Sequence, residues 1–310
     1  MKVNRVEWHC PNVACKLHEG KLVAKGYRFY QYVGSYVTKW NHQPVPRYRC
    51  KECGKYFSSH TFRSTYRQKA PYLNRRIFSL LCSGMTQRRI AKELCCNRKT
   101  VARKFLFLSL KAKATHALNL RSGVLACREA QFDEMESFEH TRLKPLNIAL
   151  AVTGDGKAII DARVGSLSYK GRLAPLAFKK YGHRKDTSKM ARREVLHSLN
   201  QSLGHCPSGH VITDAKSSYR KEIKAILGHR KFLVHLEIAN QRKQHSFATR
   251  PLIRKNLNDP MFWLNHIASR IRHDLSRMMR KVWTTTKKDW ALQAHLYLFI
   301  AFYNQYKLAI

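Results

Sequence analysis

Apolar positions along this chain follow two rhythms, one helical and one alternating. In "MTQRRIAKELCCNRKTVARKFLFL" the apolar side chains Ile90, Ala91 and Leu94 share one helical face, and after a break Val101 and Phe105 share another. Thr86 and Asn97 stand where a side-chain oxygen caps a helix start, so the stretch predicts two helices joined by a short turn. Small Ala91 permits their close crossing. Farther on the period shortens. "QFDEMESF" predicts a strand ending near Ser137, and "PLNIALAVTGDGKAIIDARVG" predicts two more, turned by Gly154-Asp155-Gly156. A helix opens at Ser188 with Ala191, Val195, Leu199 and Leu203 on one face. "GHVITDAKSSY" then supplies a strand ending in Asp214, and "KFLVHLEIA" another. Asp259 as cap and Pro260 as first helical residue open a helix with the stripe Leu264, Ile267, Ile271, Leu275, Met278 and Val282. "DWALQAHLYLFIAFYNQY" predicts a last, apolar helix, and near the start "YRFYQYVGSYVTKW" predicts a β-hairpin.

Charge changes the picture most. Lys and Arg number 59 against 19 Asp and Glu, a formal net charge of +40 spread along the whole chain of 310 residues. Such a field suits a polyanion, most economically nucleic acid, and its even spread argues against a basic tail on an ordinary enzyme. No stretch approaches the roughly 18 apolar residues of a membrane span. "MKVNRVEWHC" lacks the apolar core of a signal peptide. Nine unevenly spaced cysteines do not form a disulfide framework, which places the protein in a reducing cytoplasm.

Four of those cysteines form two spaced pairs, Cys10 with Cys15 and Cys50 with Cys53, on either side of the Tyr/Val-rich run. Four thiolates close a tetrahedral structural Zn²⁺ shell, and Gly54 allows the tight turn after the second pair. His9 and His18 are weaker candidate ligands. A segment this small needs a metal to hold it. These residues define a zinc ribbon over 1–65. Residues 66–122 hold the helix pair, whose second helix carries Arg98, Lys99, Thr100, Arg103 and Lys104, with Arg88 on the first. Those are the donors that phosphates and base edges of double-stranded DNA require.

Residues 123–310 are mixed α/β. Three antiparallel strands, a helix, a strand ending in Asp and further helices is the order of a ribonuclease-H-like fold, in which the first and fourth strands lie side by side. Asp133 and Asp214 then face one another, and paired carboxylates with oxygen-only ligation select Mg²⁺ or Mn²⁺. The first strand concentrates scarce acids: Asp133, Glu134, Glu136 and Glu139 fall within seven residues. Strand alternation sends Glu134 to the opposite face from Asp133, toward basic partners, and leaves Glu136 and Glu139 as salt-bridge residues.

The cysteine pairs, the helix pair, "FDE", "TDAKSSY" and a helix ending "LSRMMRKVW" together resemble bacterial insertion-sequence transposases of the DDE type, in their zinc-ribbon branch. The resemblance spans essentially the whole chain. It implies an α/β multidomain protein: zinc ribbon, helix-turn-helix domain and ribonuclease-H-like catalytic domain. It implies binding to the element's terminal inverted repeats, metal-dependent strand cleavage and joining of the freed 3′-OH to target DNA, by a homo-oligomer associated with the nucleoid. Asp133 and Asp214 become the first two metal-binding residues. Asn265 stands where the third acid is usual, and Asp274 is the only acid on that helix beyond its cap. A non-catalytic DNA-binding regulator with the same fold is the alternative.

Overall fold

The computed structural model describes residues 9–18, 28–38, 42–206, 208–230, 233–238, 259–279, 285–306 and 308. The chain divides into two compact units, Met1–Asn74 with Ala309–Ile310, and Arg75–Leu308. This division is coarser than the three domains expected from the sequence.

In the first unit, strands β1 (Tyr30–Val37), β2 (Pro44–Cys50) and β3 (Tyr56–Ser58) form an antiparallel sheet in that order. The predicted hairpin run is thus one strand. Its register against β2 shifts between Tyr32 and Ser35, and Gly34 within that shift has φ +111°, open to glycine alone. Phe29 and Phe57 stack with ring centroids 6.0 Å apart and pack with Cys10, Cys15 and Cys50 into a small core.

Helix α1 (Leu73–Cys82) begins two residues before the second unit, and α2 (Gln87–Glu93) and α3 (Arg98–Arg121) lie within it. The expected caps are in place: Thr86 Oγ1 accepts from Arg89 N–H at 3.3 Å, and Asn97 Oδ1 from Lys99 N–H at 2.8 Å. Between α2 and α3, Cys95 turns the chain with a positive φ of 47°. Helix α3 runs on for 24 residues, about 36 Å, from Arg98 to Arg121.

Five strands follow: β4 (Glu129–Phe138), β5 (Pro145–Thr153), β6 (Ile159–Ser166), β7 (Gly209–Asp214) and β8 (Leu233–Ile238). They lie in the order β6-β5-β4-β7-β8, the first three antiparallel and the β4–β7 and β7–β8 pairs parallel. Helix α4 (Ala174–Tyr181) lies in the connection to α5 (Ser188–Gly204); α6 (Ser217–Leu227) follows β7, and α7 (Phe262–Asp274) and α8 (Asp289–Tyr303) close the chain. One sheet face packs Met135, Ile148, Leu150 and Ile212 against Leu264, Ile267 and Ile271 of α7 and Leu296 and Phe299 of α8. The other packs Phe132, Ala149, Ala151 and Val211 against Val195 and Leu199 of α5 and Tyr219 and Ile223 of α6. Both faces are buried, so β5 reads as a nearly unbroken apolar run.

Helix α7 differs from expectation at both ends. Asp259 Oδ1 accepts from Met261 N–H at 2.9 Å in the turn ahead of the helix, which begins at Phe262 with Met261 as its N-cap residue and no side-chain cap. It ends at Asp274, because Leu275 is extended (φ −103°, ψ 111°). Met278 still packs in the core, while Val282 lies outside the described residues. Among the described residues no helix is long and apolar enough to cross a membrane.

A buried ion cluster fastens α3 to the sheet edge. Asp161 of β6 is fully buried, with Oδ2 accepting from Arg163 Nε at 2.9 Å and from Ser198 Oγ of α5 at 2.6 Å. Its Oδ1 accepts from Ala162 N–H at 2.8 Å and lies 3.6 Å from His116 Nε2 of α3, too far for a hydrogen bond. The Nδ1 of His116 in turn reaches Tyr306 Oη at 3.0 Å.

Candidate metal centres and DNA-facing helix

The sulfurs of Cys10, Cys15, Cys50 and Cys53 all lie within 4.8 Å of one another, with 3.4 Å between Cys10 and Cys53 and 4.0 Å between Cys15 and Cys50. Tetrahedral Zn–S bonds of about 2.3 Å separate sulfurs by roughly 3.8 Å, so this cluster fits a zinc ion. Two turns present the sulfurs. Cys15 N–H donates to Asn12 O at 2.9 Å, and Gly54 N–H donates to Cys50 O at 3.0 Å with Gly54 at φ +70°. Burial opposes ionisation of Cys53, yet the Lys55 backbone N–H, the Asn12 side chain and the neighbouring thiols lower its pKa to about 6, so one thiolate forms readily. His18 lies outside the cluster: its Nδ1 is spent on the Cys10 carbonyl at 2.7 Å, and His9 packs its ring against His18 and Phe62. One zinc per chain is expected by elemental analysis, with Cys50→Ser losing it; equal zinc in both proteins would sink the assignment.

On α2 and α3, Arg88, Arg98, Lys99 and Arg103 are exposed and Thr100 half-exposed, while Ile90, Ala91, Val101 and Phe105 are buried. Lys104 departs from expectation. It lies three residues after Val101 and four before Leu108, on the inner stripe, and is 5 % exposed. Burial lowers its pKa and removes it from the exposed donors.

The carboxylates converge at the end of the β4–β7 pair. That pair runs to Phe132↔Thr213, which sets Asp133 beside Asp214. In-register residues of a parallel pair share a face, and the flanking Gln131 and Ile212 fix it as the α7 side: Gln131 Oε1 accepts from Leu264 N–H at 2.9 Å, and Ile212 packs in the α7 core. Burial raises the Asp133 pKa, and the Asp214 charge raises it further, as expected of facing acids that a cation would relieve. Asp133 Oδ1 accepts from Glu134 N–H at 2.6 Å and lies 3.1 Å from Tyr219 Oη. Asp214 Oδ1 accepts from Lys216 N–H at 3.3 Å. Two carboxylates with free oxygen capacity on one sheet face fit a hard divalent cation.

Glu134 points to the other face, as alternation requires. Its Oε1 accepts from Asn147 and from Arg192 Nη1 at 3.1 Å, its Oε2 accepts from Lys216, and Tyr219 Oη lies 3.0 Å from Oε2. Burial works against its charge, but Lys216 and Arg192 hold its carboxyl below the ordinary range. Arg192 also binds Glu222 at 2.8 Å. Glu139 pairs with Arg184 at 3.2 Å, though both side chains are largely buried rather than superficial, and Glu136 is exposed. Tyr219 and Arg192 escaped the sequence reading. Their only signal was the Tyr that ends "TDAKSSY", five residues after Asp214.

Asn265 and Asp274 fall on different flanks of α7. With Leu264 facing the sheet, Trp263 lies about 100° to one side. It covers Gly156 in the β5–β6 turn so closely that an added Cβ there would come within 2.3 Å of the indole. Asn265 lies about 100° to the other side. It is exposed, and its Nδ2 donates to Asp259 Oδ2 at 3.2 Å. Asp274 returns to the Trp263 flank, where its Oδ2 accepts from Arg270 Nε at 2.9 Å and its Oδ1 lies 2.8 Å from His273 Nδ1.

No protein-family model matches the chain, and no curated protein matches it. Among solved structures it is similar to the Mos1 strand transfer complex, at 13% identity and a TM-score of 0.29 over 76% of this chain and 78% of that one. It is also similar to a pre-cleavage Mos1 transpososome, at 10% identity and a TM-score of 0.26 over 77% and 79%.

Proposed function

We propose that this chain is a transposase of the DDE type that binds the ends of its insertion sequence and cuts and joins DNA with divalent metal ions. The observation that carries the reading is the parallel β4–β7 pair, which puts Asp133 and Asp214 side by side on one face in a chain of net charge +40. The strand order and directions support a ribonuclease-H-like catalytic domain. Mg²⁺ or Mn²⁺ bound there would neutralise charge on the phosphodiester and make a water or 3′-OH more acidic. Asp133 and Asp214 donate carboxylate oxygens to that site. Asn265 offers a neutral amide oxygen, since its contact with Asp259 uses the amide nitrogen, while Asp274 is already paired with Arg270. Glu134, saturated by Asn147, Arg192 and Lys216, holds the strand and α6 together and takes no metal. The four cysteines hold a structural zinc, and the α2–α3 pair acts as a helix-turn-helix on double-stranded DNA.

The test is nicking of DNA that carries the element's own ends, in Mg²⁺. Wild type nicks it; Asn265→Ala loses most of that activity and Asp274→Ala keeps it. A chain that binds these ends without nicking them is the regulator instead. For DNA binding, Arg98→Ala and Lys99→Ala each lower the slope of log affinity against log salt by about one. Unchanged affinity and slope in both would make α3 purely structural.

A further inference from the structure

We propose that Tyr219 is a positioning residue for the metal site: its hydroxyl, with Glu134 N–H, ties down Oδ1 of Asp133 and leaves Oδ2 to the cation. The inference rests on the metal-site reading above and deepens it.

Tyr219 stands in the first turn of α6, 1 % exposed, its ring edge-on to Phe132 with centroids 5.1 Å apart. Its Oη is 3.1 Å from Asp133 Oδ1 and 3.0 Å from Glu134 Oε2. A phenol has one hydrogen to give. Glu134 has three other donors, in Asn147, Arg192 and Lys216. Asp133 has, among the described residues, only the Glu134 N–H besides, also on Oδ1, so the phenolic hydrogen matters most there. Among the described residues nothing donates to Oδ2. A carboxylate pinned through one oxygen turns the other outward in a fixed direction, as outer partners orient a metal ligand. The pin is itself held from behind, because Lys216 Nζ sits 4.8 Å above the Tyr219 ring while it binds Glu134.

The experiment is Mn²⁺ binding to the zinc-loaded full chain without DNA, followed by the electron paramagnetic resonance signal of free Mn²⁺. Tyr219→Phe keeps the ring and removes only the hydroxyl. Its Mn²⁺ affinity is expected to fall about 10- to 100-fold at an unchanged melting temperature, the range for loss of an outer-shell partner. Asp133→Asn is expected to lose binding altogether. Wild-type affinity in Tyr219→Phe, with binding lost in Asp133→Asn, overturns the positioning role and leaves the metal site standing. Full binding in Asp133→Asn overturns the metal site itself. Should Tyr219→Phe misfold, the wild-type Glu134 amide proton decides. A resonance that stays downfield when Mg²⁺ is added means that Oδ1 remains tied; its collapse to an ordinary shift means that the cation has taken Oδ1, and the inference fails.

Discussion

Asp214→Asn is expected to abolish Mg²⁺-dependent nicking, slowing it by about a thousandfold or more, while DNA binding stays largely intact. The size follows from what a metal-bound carboxylate supplies, several kcal/mol of charge stabilisation where the phosphodiester reacts. The substitution keeps the size of the side chain and the oxygen that caps Lys216 N–H, so the turn into α6 survives. Asp133→Asn should behave alike, since the two acids share a face at the end of the same strand pair. Cleavage retained in Asp214→Asn, measured on supercoiled DNA carrying the element ends, would mean that other groups hold the metal.

The second large effect is on stability. Removing the Asp161 carboxylate in Asp161→Ala takes the acceptor from Ser198 and the Ala162 N–H and leaves Arg163 with Glu194 and Tyr297, a loss of about 2–3 kcal/mol, the scale of hydrogen bonds to a charged group. Equilibrium urea unfolding measures it, and a loss below about 1 kcal/mol, the scale of a surface pair, would refute the account. Acid should reproduce some of the loss in wild type. Burial disfavours the Asp161 charge, but His116, Arg163 and Ser198 outweigh it and hold the pKa at about 2. A folded pKa below that of the unfolded chain means that the unfolded state takes the proton first. The stabilisation is therefore whole above about pH 4 and drains away as pH falls toward 2, and it is worth about 2 kcal/mol at neutrality.

Much of this was legible from local pattern. The alternation in "QFDEMESF" separates Asp133 from Glu134 along the strand, although Tyr219 of α6 reaches both carboxylates. Asp214 was readable as a strand end because the apolar run stops there. What escaped depends on partners distant in sequence. Asp161 sits in an apolar strand as one unexplained acid, and its partners His116 and Ser198 are 45 and 37 residues away. Lys104 was misjudged because composition marks a basic helix, whereas only its spacing from Val101 and Leu108 marks the inner face. The end of α7 at Leu275 breaks an apolar stripe that continues to Met278, so periodicity alone ran past it.

Helix α3 carries exposed Arg98, Lys99 and Arg103 at one end and, 13 residues beyond Arg103, the buried His116 beside Asp161. No flexible joint separates the two ends. If the first turns read DNA, the helix works as a ruler. The distance and angle from the base pair being read to the sheet that carries Asp133 are then fixed by a count of residues. One residue inserted near Leu110 would advance the reading end by about 1.5 Å and swing it through about 100°, and a whole extra turn would nearly restore the angle while lengthening the reach. The place of the cut, counted in base pairs from the recognised sequence, would be written into the length of a single helix.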